Sequence, residues 1–386
     1  MDFALTEEQQ AIFDMARDFG AEHIAPHSRE WEAAGTIPKD LWPRVAALGF
    51  GGLYVSEEYG GSGLTRLDAT LVFEALAMAC PAVGSFLSIH NMCTWMVDTY
   101  GSEEQRQEWI PKLAPMDVMA SYCLTEPGAG SDAASLTTRA ERDGDDFVLN
   151  GTKQFISGGG ASDLYVVMAR SEGEGARGIS TFLVDKGTEG LSFGPPEVKM
   201  GWHSQPTTQV IFENVRIPAS RMLGGTDGAG KGFGIAMNGL NGGRLNIAAC
   251  SLGGAQAAYD LALRYMTERE TFGRKLIDEP TIRFALADMA TSLEASRLIL
   301  WRAATALDEN DPDKVELCAM AKKFVTETCF QVADQALQLH GGYGYLHETG
   351  VEKIVRDLRV NRILEGTNEI MRMVIGRAEA ARIQGK

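Results

Sequence analysis

The sequence lacks the marks of several large function classes. Its 386 residues carry a formal net charge of −16, and no Lys/Arg run offsets that acidity. A nucleic-acid partner is therefore not expected, because counterion release needs a basic surface. No stretch approaches the roughly 20 apolar residues that a membrane-spanning helix requires, so no membrane insertion is expected. The opening MDFALTEEQQ shows no basic n-region, no apolar h-region and no Arg-rich leader. Six histidines are present, but none in H-E-x-x-H spacing, and G-x-S-x-G is missing as well. The six cysteines (Cys80, Cys93, Cys123, Cys250, Cys318, Cys329) include no C-x-x-C pair. Most lie in apolar periodic segments and read as buried reduced thiols, so no metal site is expected. A reducing compartment fits: a bacterial cytoplasm, or a mitochondrial matrix if a leader has been removed.

What is present reads as a multidomain globular chain. Hydrophobic residues make up 45% and charged residues 23%, and the length exceeds one ordinary core, so two or three domains are expected. Up to about residue 117 the period is helical. Leu5, Ile12, Phe13, Met15 and Phe19 form one stripe, and Thr6-Glu7-Glu8-Gln9 resembles an N-cap with its first turn. Further helices are expected over 39–49, 66–80, 84–100 and 102–113. Between 118 and 232 the pattern changes to short β-branched and aromatic runs (147–149, 164–168, 179–184, 209–212) separated by turn signals, which predicts a barrel or sandwich. From 233 to 386 long helical stripes return, one marked by Phe284, Met289, Leu293 and Leu300, another by Val315, Cys318, Val325, Cys329, Val332 and Ala336. Short loops between them argue for an antiparallel bundle.

Gly225–Gly232 has the outline of a phosphate loop. Gly232 stands where a Ser or Thr should bind Mg²⁺, however, and no strand–helix signal brackets it, so an inter-domain loop explains it better. Three other stretches can carry chemistry. In Ser121–Asp132 an apolar run ends in a Gly-rich turn whose backbone N–H groups and Ser131 can cradle an anion, although a plain strand-ending turn has the same appearance. In Ala336–Tyr345 a helix ends at two adjacent glycines, which permit close approach of a ligand or merely cap the helix. In Arg362–Arg372, Glu365 precedes Gly366, Thr367 and Asn368, residues that open a new helix. Its carboxylate can face a pocket or solvent.

Taken together, Tyr122–Asp132, Lys153–Ser157, Glu268–Gly273, Gln338–Gly342 and Leu364–Thr367 occur in the order and spacing of the acyl-CoA dehydrogenase family, which this chain resembles over almost its entire length. The resemblance implies an α+β multidomain fold: an N-terminal helical domain (1–117), a central β domain (118–232) and a C-terminal antiparallel four-helix bundle (233–386). It also implies FAD as cofactor and dehydrogenation of an acyl-CoA thioester between Cα and Cβ, with electrons passed to electron-transferring flavoprotein.

By the same resemblance Glu365 is the catalytic base. Tyr122, Leu124, Thr125, Gly130, Ser131, Phe155, Ile156 and Ser157 are expected at FAD, with Ser131 also near CoA. Arg269, Thr271, Phe272, Gln338, Leu339, His340, Gly341 and Gly342 are expected to reach the FAD of a neighbouring subunit in a homo-oligomer, usually a tetramer. Thr367, Asn368 and Glu369 are expected near the adenosine pyrophosphate, and Asn241 and Arg244 along the CoA channel. Some relatives carry their base immediately before the residue matching Arg244; here Gly243 stands there. Leu364, where many straight-chain members carry tyrosine, leaves room for a branched acyl group beside Gly366. Met92, Trp95 and Met96 are expected to close that pocket, or to form a core stripe. The expected substrate is isobutyryl-CoA, a reading that also draws on Gly201–Thr207 and Gly239–Ala248; 2-methylbutyryl-, isovaleryl- and butyryl-CoA are alternatives. A same-fold flavin oxidase or monooxygenase and a non-catalytic CoA-binding protein are the more distant ones.

Overall fold

A computed structural model describes residues 3–385. The order is helical, then stranded, then helical. The first part holds α1 (Glu7–His23), α2 (Ser28–Ala34), α3 (Leu41–Ala46), α4 (Arg66–Ala79), α5 (Pro81–Tyr100) and α6 (Glu103–Leu113). Capping boxes start α1, α4 and α6, at Thr6/Gln9, Thr65/Asp68 and Ser102/Gln105. Each satisfies two backbone donors that the first helical turn leaves unpaired.

Seven strands follow: β1 (Ala120–Cys123), β2 (Arg139–Asp143), β3 (Asp146–Ser157), β4 (Leu164–Arg170), β5 (Ile179–Asp185), β6 (Leu191–Phe193) and β7 (Thr207–Pro218). They form a single sheet in the order β1-β4-β2-β3-β7-β6, with β5 on the other side of β4. Long antiparallel β3–β7 pairing anchors one half, and parallel β1–β4 with antiparallel β4–β5 the other. One bridge, Arg139 to Arg170, joins the halves. The choice between barrel and sandwich thus resolves as one continuous sheet.

The last part holds α7 (Gly232–Glu268), a small hairpin of β8 (Glu270–Thr271) and β9 (Arg274–Lys275), then α8 (Pro280–Asp308), α9 (Lys314–Leu339), α10 (Val351–Arg359) and α11 (Asn368–Ile383). Helices α7, α8 and α9 pack together, and α11 lies on α9. Gly225–Gly228 is a 3-10 turn leading into α7, in keeping with a connecting loop. Met289, Leu293 and Leu300 are buried, but Phe284 is 68% exposed and Val315 is 41% exposed. Phe284 is the fifth residue of α8 and Val315 the second of α9, and neither joins the core as the stripes read from the sequence expected.

Three cores organise the molecule. One contains residues from α1, α4 and α5 together with residues from α7, α8, α9 and α10, so the helices before and after the sheet share a single interior. A second joins α5 and α6 to β1, β4 and α7; the third fills the sheet's own concavity. Helix α7 belongs to the first two and is buried along most of its middle. All six cysteines are free and buried. Among the described residues no helix is long and apolar enough to cross a membrane.

Candidate functional site

The chain between Arg362 and Asn368 turns sharply before α11, whose N-cap Thr367 accepts from the Ile370 N–H at 3.3 Å. At the turn Glu365 has φ +56° and Gly366 φ +91°. Left-handed backbone is unfavourable for a side chain as large as Glu, so something must hold it there. Two cations do. Arg244 Nε from α7 donates to the Glu365 carbonyl at 3.2 Å, and Lys322 Nζ from α9 donates to the Gly366 carbonyl at 2.8 Å.

The Glu365 carboxylate itself has no hydrogen-bond partner on either oxygen, and both oxygens are buried. Burial pushes its pKa up, while Lys322 and Arg244 pull it back, leaving it at about 7. A Cβ at position 243 would stand 2.5 Å from Glu365 Oε2. Glycine there keeps α7 clear of the carboxylate, and any side chain at 243 would contest the same space.

The carboxylate lines a cavity of about 280 Å³. Ile89 and Met92 of α5, Tyr122 of β1, the Leu124–Ser131 turn, Phe155, Ile156 and Ser157 of β3, and Leu364 with Gly366 share that wall. On α7 the lining runs Phe233, Met237, Leu240, Arg244, Ile247, one face at helical spacing.

The motifs on either side of this wall are tied by a buried ion pair. Lys153 Nζ lies 2.8 Å from Glu126 Oε1 and also donates to the Leu124 carbonyl at 3.1 Å. Glu126 further accepts from the Thr137 and Thr138 N–H groups at 2.6 and 2.9 Å. Burial opposes its ionisation, but Lys153 and these donors win and hold its pKa at about 2. Gln154 N–H donates to the Thr125 carbonyl at 2.8 Å, joining the turn to β3 directly. Beside this clamp the β3–β7 register shifts, and Phe155 sits there at φ +58°, 64% exposed, at the cavity edge. An exposed ring on strained backbone points to a binding role rather than to packing.

Other expected residues lie elsewhere. Met96 packs below α7 at Gly239, and Trp95 stacks edge-on with Tyr100 and lies over the Arg66 guanidinium, so of the three α5 residues only Met92 reaches the cavity. Asn241 accepts from Arg244 Nη1 at 2.8 Å, one step behind the wall. Thr367 caps α11, Asn368 bonds Lys322, and Glu369 is paired with Arg372 on the surface. Arg269, Thr271, Leu339, His340, Gly341 and Gly342 line a separate surface hollow with Tyr265 and Tyr343. Gln338 sits in the last turn of α9 and Phe272 is fully exposed beside the hollow. Within one chain, then, these groups form two places.

The sequence reading missed Ile89, Trp202, Phe233, Met237, Leu240, Ile247 and Ile370 as lining residues, and Lys322 as a partner of the Glu365 turn. A signal for part of the set was available: Arg244 fixes a helix face, and counting by three and four gives Phe233, Met237, Leu240 and Ile247. No local pattern marks Trp202, which enters at φ +54° with its N–H donating to Asp357 Oδ1 at 2.6 Å, or Ile89 from α5, whereas Ile370 stands in the first turn of α11, five residues after Glu365. The wall suits a planar aromatic cofactor with an anionic tail. It offers apolar side chains, an exposed ring, Gly130 and Ser131 of the Gly-rich turn, and an unpartnered carboxylate facing inward.

Family models match the chain in three consecutive parts: the acyl-CoA dehydrogenase N-terminal domain over 6–117, the middle domain over 121–215 and the C-terminal domain over 230–380. Mitochondrial isobutyryl-CoA dehydrogenase of Bos taurus is 53% identical over 97% of the chain and 89% of its own length. The Dictyostelium discoideum protein of that name is 51% identical over the same shares. Among solved structures, butyryl-CoA dehydrogenase of Megasphaera elsdenii superposes with a TM-score of 0.95 at 38% identity, covering 98% of this chain and all of that one.

Proposed function

The chain belongs to the acyl-CoA dehydrogenase family, and from that premise we propose that it desaturates a short branched acyl-CoA, isobutyryl-CoA to methacrylyl-CoA, with Glu365 as the base. It is an FAD-dependent oxidoreductase. The observation that carries the reading is the Glu365 carboxylate, buried, without a hydrogen-bond partner, and aimed into the cavity.

A C–H beside a thioester is a weak acid, so its removal needs a positioned base and a stabilised enolate. Glu365 supplies the base. With its pKa near 7 it is about half ionised at neutral pH and basic enough to take the proton. Such a base contributes about 10²–10⁴-fold to the rate. Arg244 and Lys322 hold the turn by its carbonyls and leave the carboxylate free to move onto the substrate. The Glu365 backbone N–H is the donor proposed for the thioester oxygen, where charge accumulates. FAD, when bound, would supply the acceptor for the β-hydrogen as hydride. Tyr122, Leu124, Thr125, Phe155, Ile156 and Ser157 are the residues that would lie along its ring, with Gly130 and Ser131 at the anionic tail or the CoA chain. Leu364 and Met92 enclose the acyl end without a bulky ring at position 364, which supports a branched substrate.

The second hollow, with Arg269, Thr271 and Leu339–Gly342, supports a homotetramer in which each subunit completes its neighbour's FAD site. Electron-transferring flavoprotein is the proposed acceptor, within a bacterial cytoplasm or a mitochondrial matrix. Anaerobic mixing with a panel of acyl-CoAs tests the substrate. Isobutyryl-CoA should bleach the flavin fastest; a lead by butyryl-CoA or isovaleryl-CoA would keep the chemistry and replace the substrate.

A further inference from the structure

Lys322 is fully buried in the middle of α9. Among the described residues no carboxylate lies within ion-pair distance of its ammonium. Its partners are instead the Gly366 carbonyl at 2.8 Å and Asn368 Oδ1 at 2.9 Å. Asn368 is held in turn, its Nδ2 donating to Thr326 Oγ1 at 3.0 Å. A buried ammonium with no carboxylate in direct contact is costly, and such groups persist where they serve something. The two residues it grips lie one and three positions after Glu365.

We infer that Lys322 is a positioning residue for Glu365: its ammonium fixes the left-handed turn through Gly366 and Asn368 and sets a buried positive charge beside the base. The inference rests on the proposed reading of Glu365 as base. Arg244 holds the carbonyl one residue earlier from the opposite helix, so the turn is gripped from α7 and α9 at once. The groups facing Glu365 are Arg244 and Cys250 from α7, Lys322 from α9, Tyr122 from β1, and Tyr54 from the segment before α4. Of these only Arg244 and Lys322 are cations, and Lys322 is the stronger influence on the carboxyl. Burial lowers the Lys322 pKa to about 8, so the ammonium is mostly charged where Glu365 is half-ionised and gives up its charge at higher pH.

The test is an infrared titration of the Glu365 carboxyl band in the FAD-loaded enzyme, with the band assigned by its loss in Glu365→Gln. It needs no substrate. Lys322→Gln should move the midpoint upward by about one pH unit, the size expected for losing one close opposite charge. The acid limb of the flavin-reduction rate should move with it and kcat should fall, while FAD content stays constant. Lys322→Arg should bring the midpoint back toward that of the wild type. Lys323→Gln removes the same charge one residue away, from a lysine paired with Glu327 at 2.9 Å, and should leave the midpoint in place. An unmoved midpoint in Lys322→Gln, or an equal shift in Lys323→Gln, overturns the inference. Should Lys322→Gln not fold, Asn368→Ser frees one side of the ammonium: a lower kcat with an altered midpoint supports the role, and no change in either removes it. If Glu365→Gln keeps full turnover, the base reading fails, yet the band still reports whether Lys322 controls that carboxyl.

Discussion

At the scale of single residues, the site trades stability for reactivity. Glu365 has a folded-state pKa of about 7 against an ordinary value of 4.5. Between those values the folded protein keeps the proton while the unfolded chain loses it, so stability falls as pH rises through that window. The full penalty, reached above about pH 7, is at most about 3 kcal/mol. Glu365→Gln should therefore melt at a higher temperature than the wild type near pH 8 and at the same temperature near pH 4; thermal melts at the two pH values decide it. Gly243→Ala is the complementary case. Its methyl would meet the movable end of Glu365 rather than backbone, so the fold should survive while the carboxylate is displaced. A misplacement of about 1 Å can cost on the order of 10²-fold, and kcat should fall in that range with the melting temperature nearly unchanged. Loss of stability without loss of rate would mean that the two groups do not share that space.

At the scale of elements, the Glu126–Lys153 pair ties the Gly-rich turn after β1 to the bulge in β3, and both segments line the cavity. Lys153→Met leaves the Glu126 carboxylate buried and uncompensated, which typically costs about 3–5 kcal/mol. Denaturant melts should show that loss together with weaker FAD retention. The double variant Glu126→Gln/Lys153→Met should recover part of it, and equal destabilisation in single and double variants would contradict the pairing. Much of the element order was legible in the sequence. The Thr6–Gln9 capping box, the strands at 164–168 and 179–184 and the helix opened by Thr367 and Asn368 all follow from local patterns. Topology was less legible: short strands with turn signals fit barrel, sandwich or open sheet equally, because pairing partners leave little trace in local sequence. The same holds for the site. Glu365 and the Gly-rich turn announce themselves by unusual residue types, whereas Lys322 looks like any helix lysine and Trp202 like any apolar residue. Their roles depend on contacts made 40 or more residues away, Lys322 to Gly366 and Trp202 to Asp357.

At the scale of the whole molecule, the chain is strongly acidic but gathers buried cations around one carboxylate. It also exposes Phe272, Tyr343, Tyr345 and Leu346 at or near the second hollow. Exposed aromatic side chains beside glycines and an arginine suit an interface between copies. Phe272→Asp should lower the oligomeric state in analytical ultracentrifugation and release FAD in parallel, since the hollow is proposed to complete a neighbour's cofactor site. Dissociation with FAD fully retained would separate the two and confine the cofactor to a single chain.

The most direct test of the account is anaerobic single turnover of wild-type and Glu365→Gln enzyme with isobutyryl-CoA, following flavin absorbance, with binding measured separately. Rapid bleaching is expected in the wild type. In the variant the rate should be lower by about 10²–10⁴-fold, the contribution of a positioned base, with FAD and acyl-CoA still bound. Bleaching at the wild-type rate in Glu365→Gln would contradict the assignment of the base and, with it, the mechanism built on this cavity.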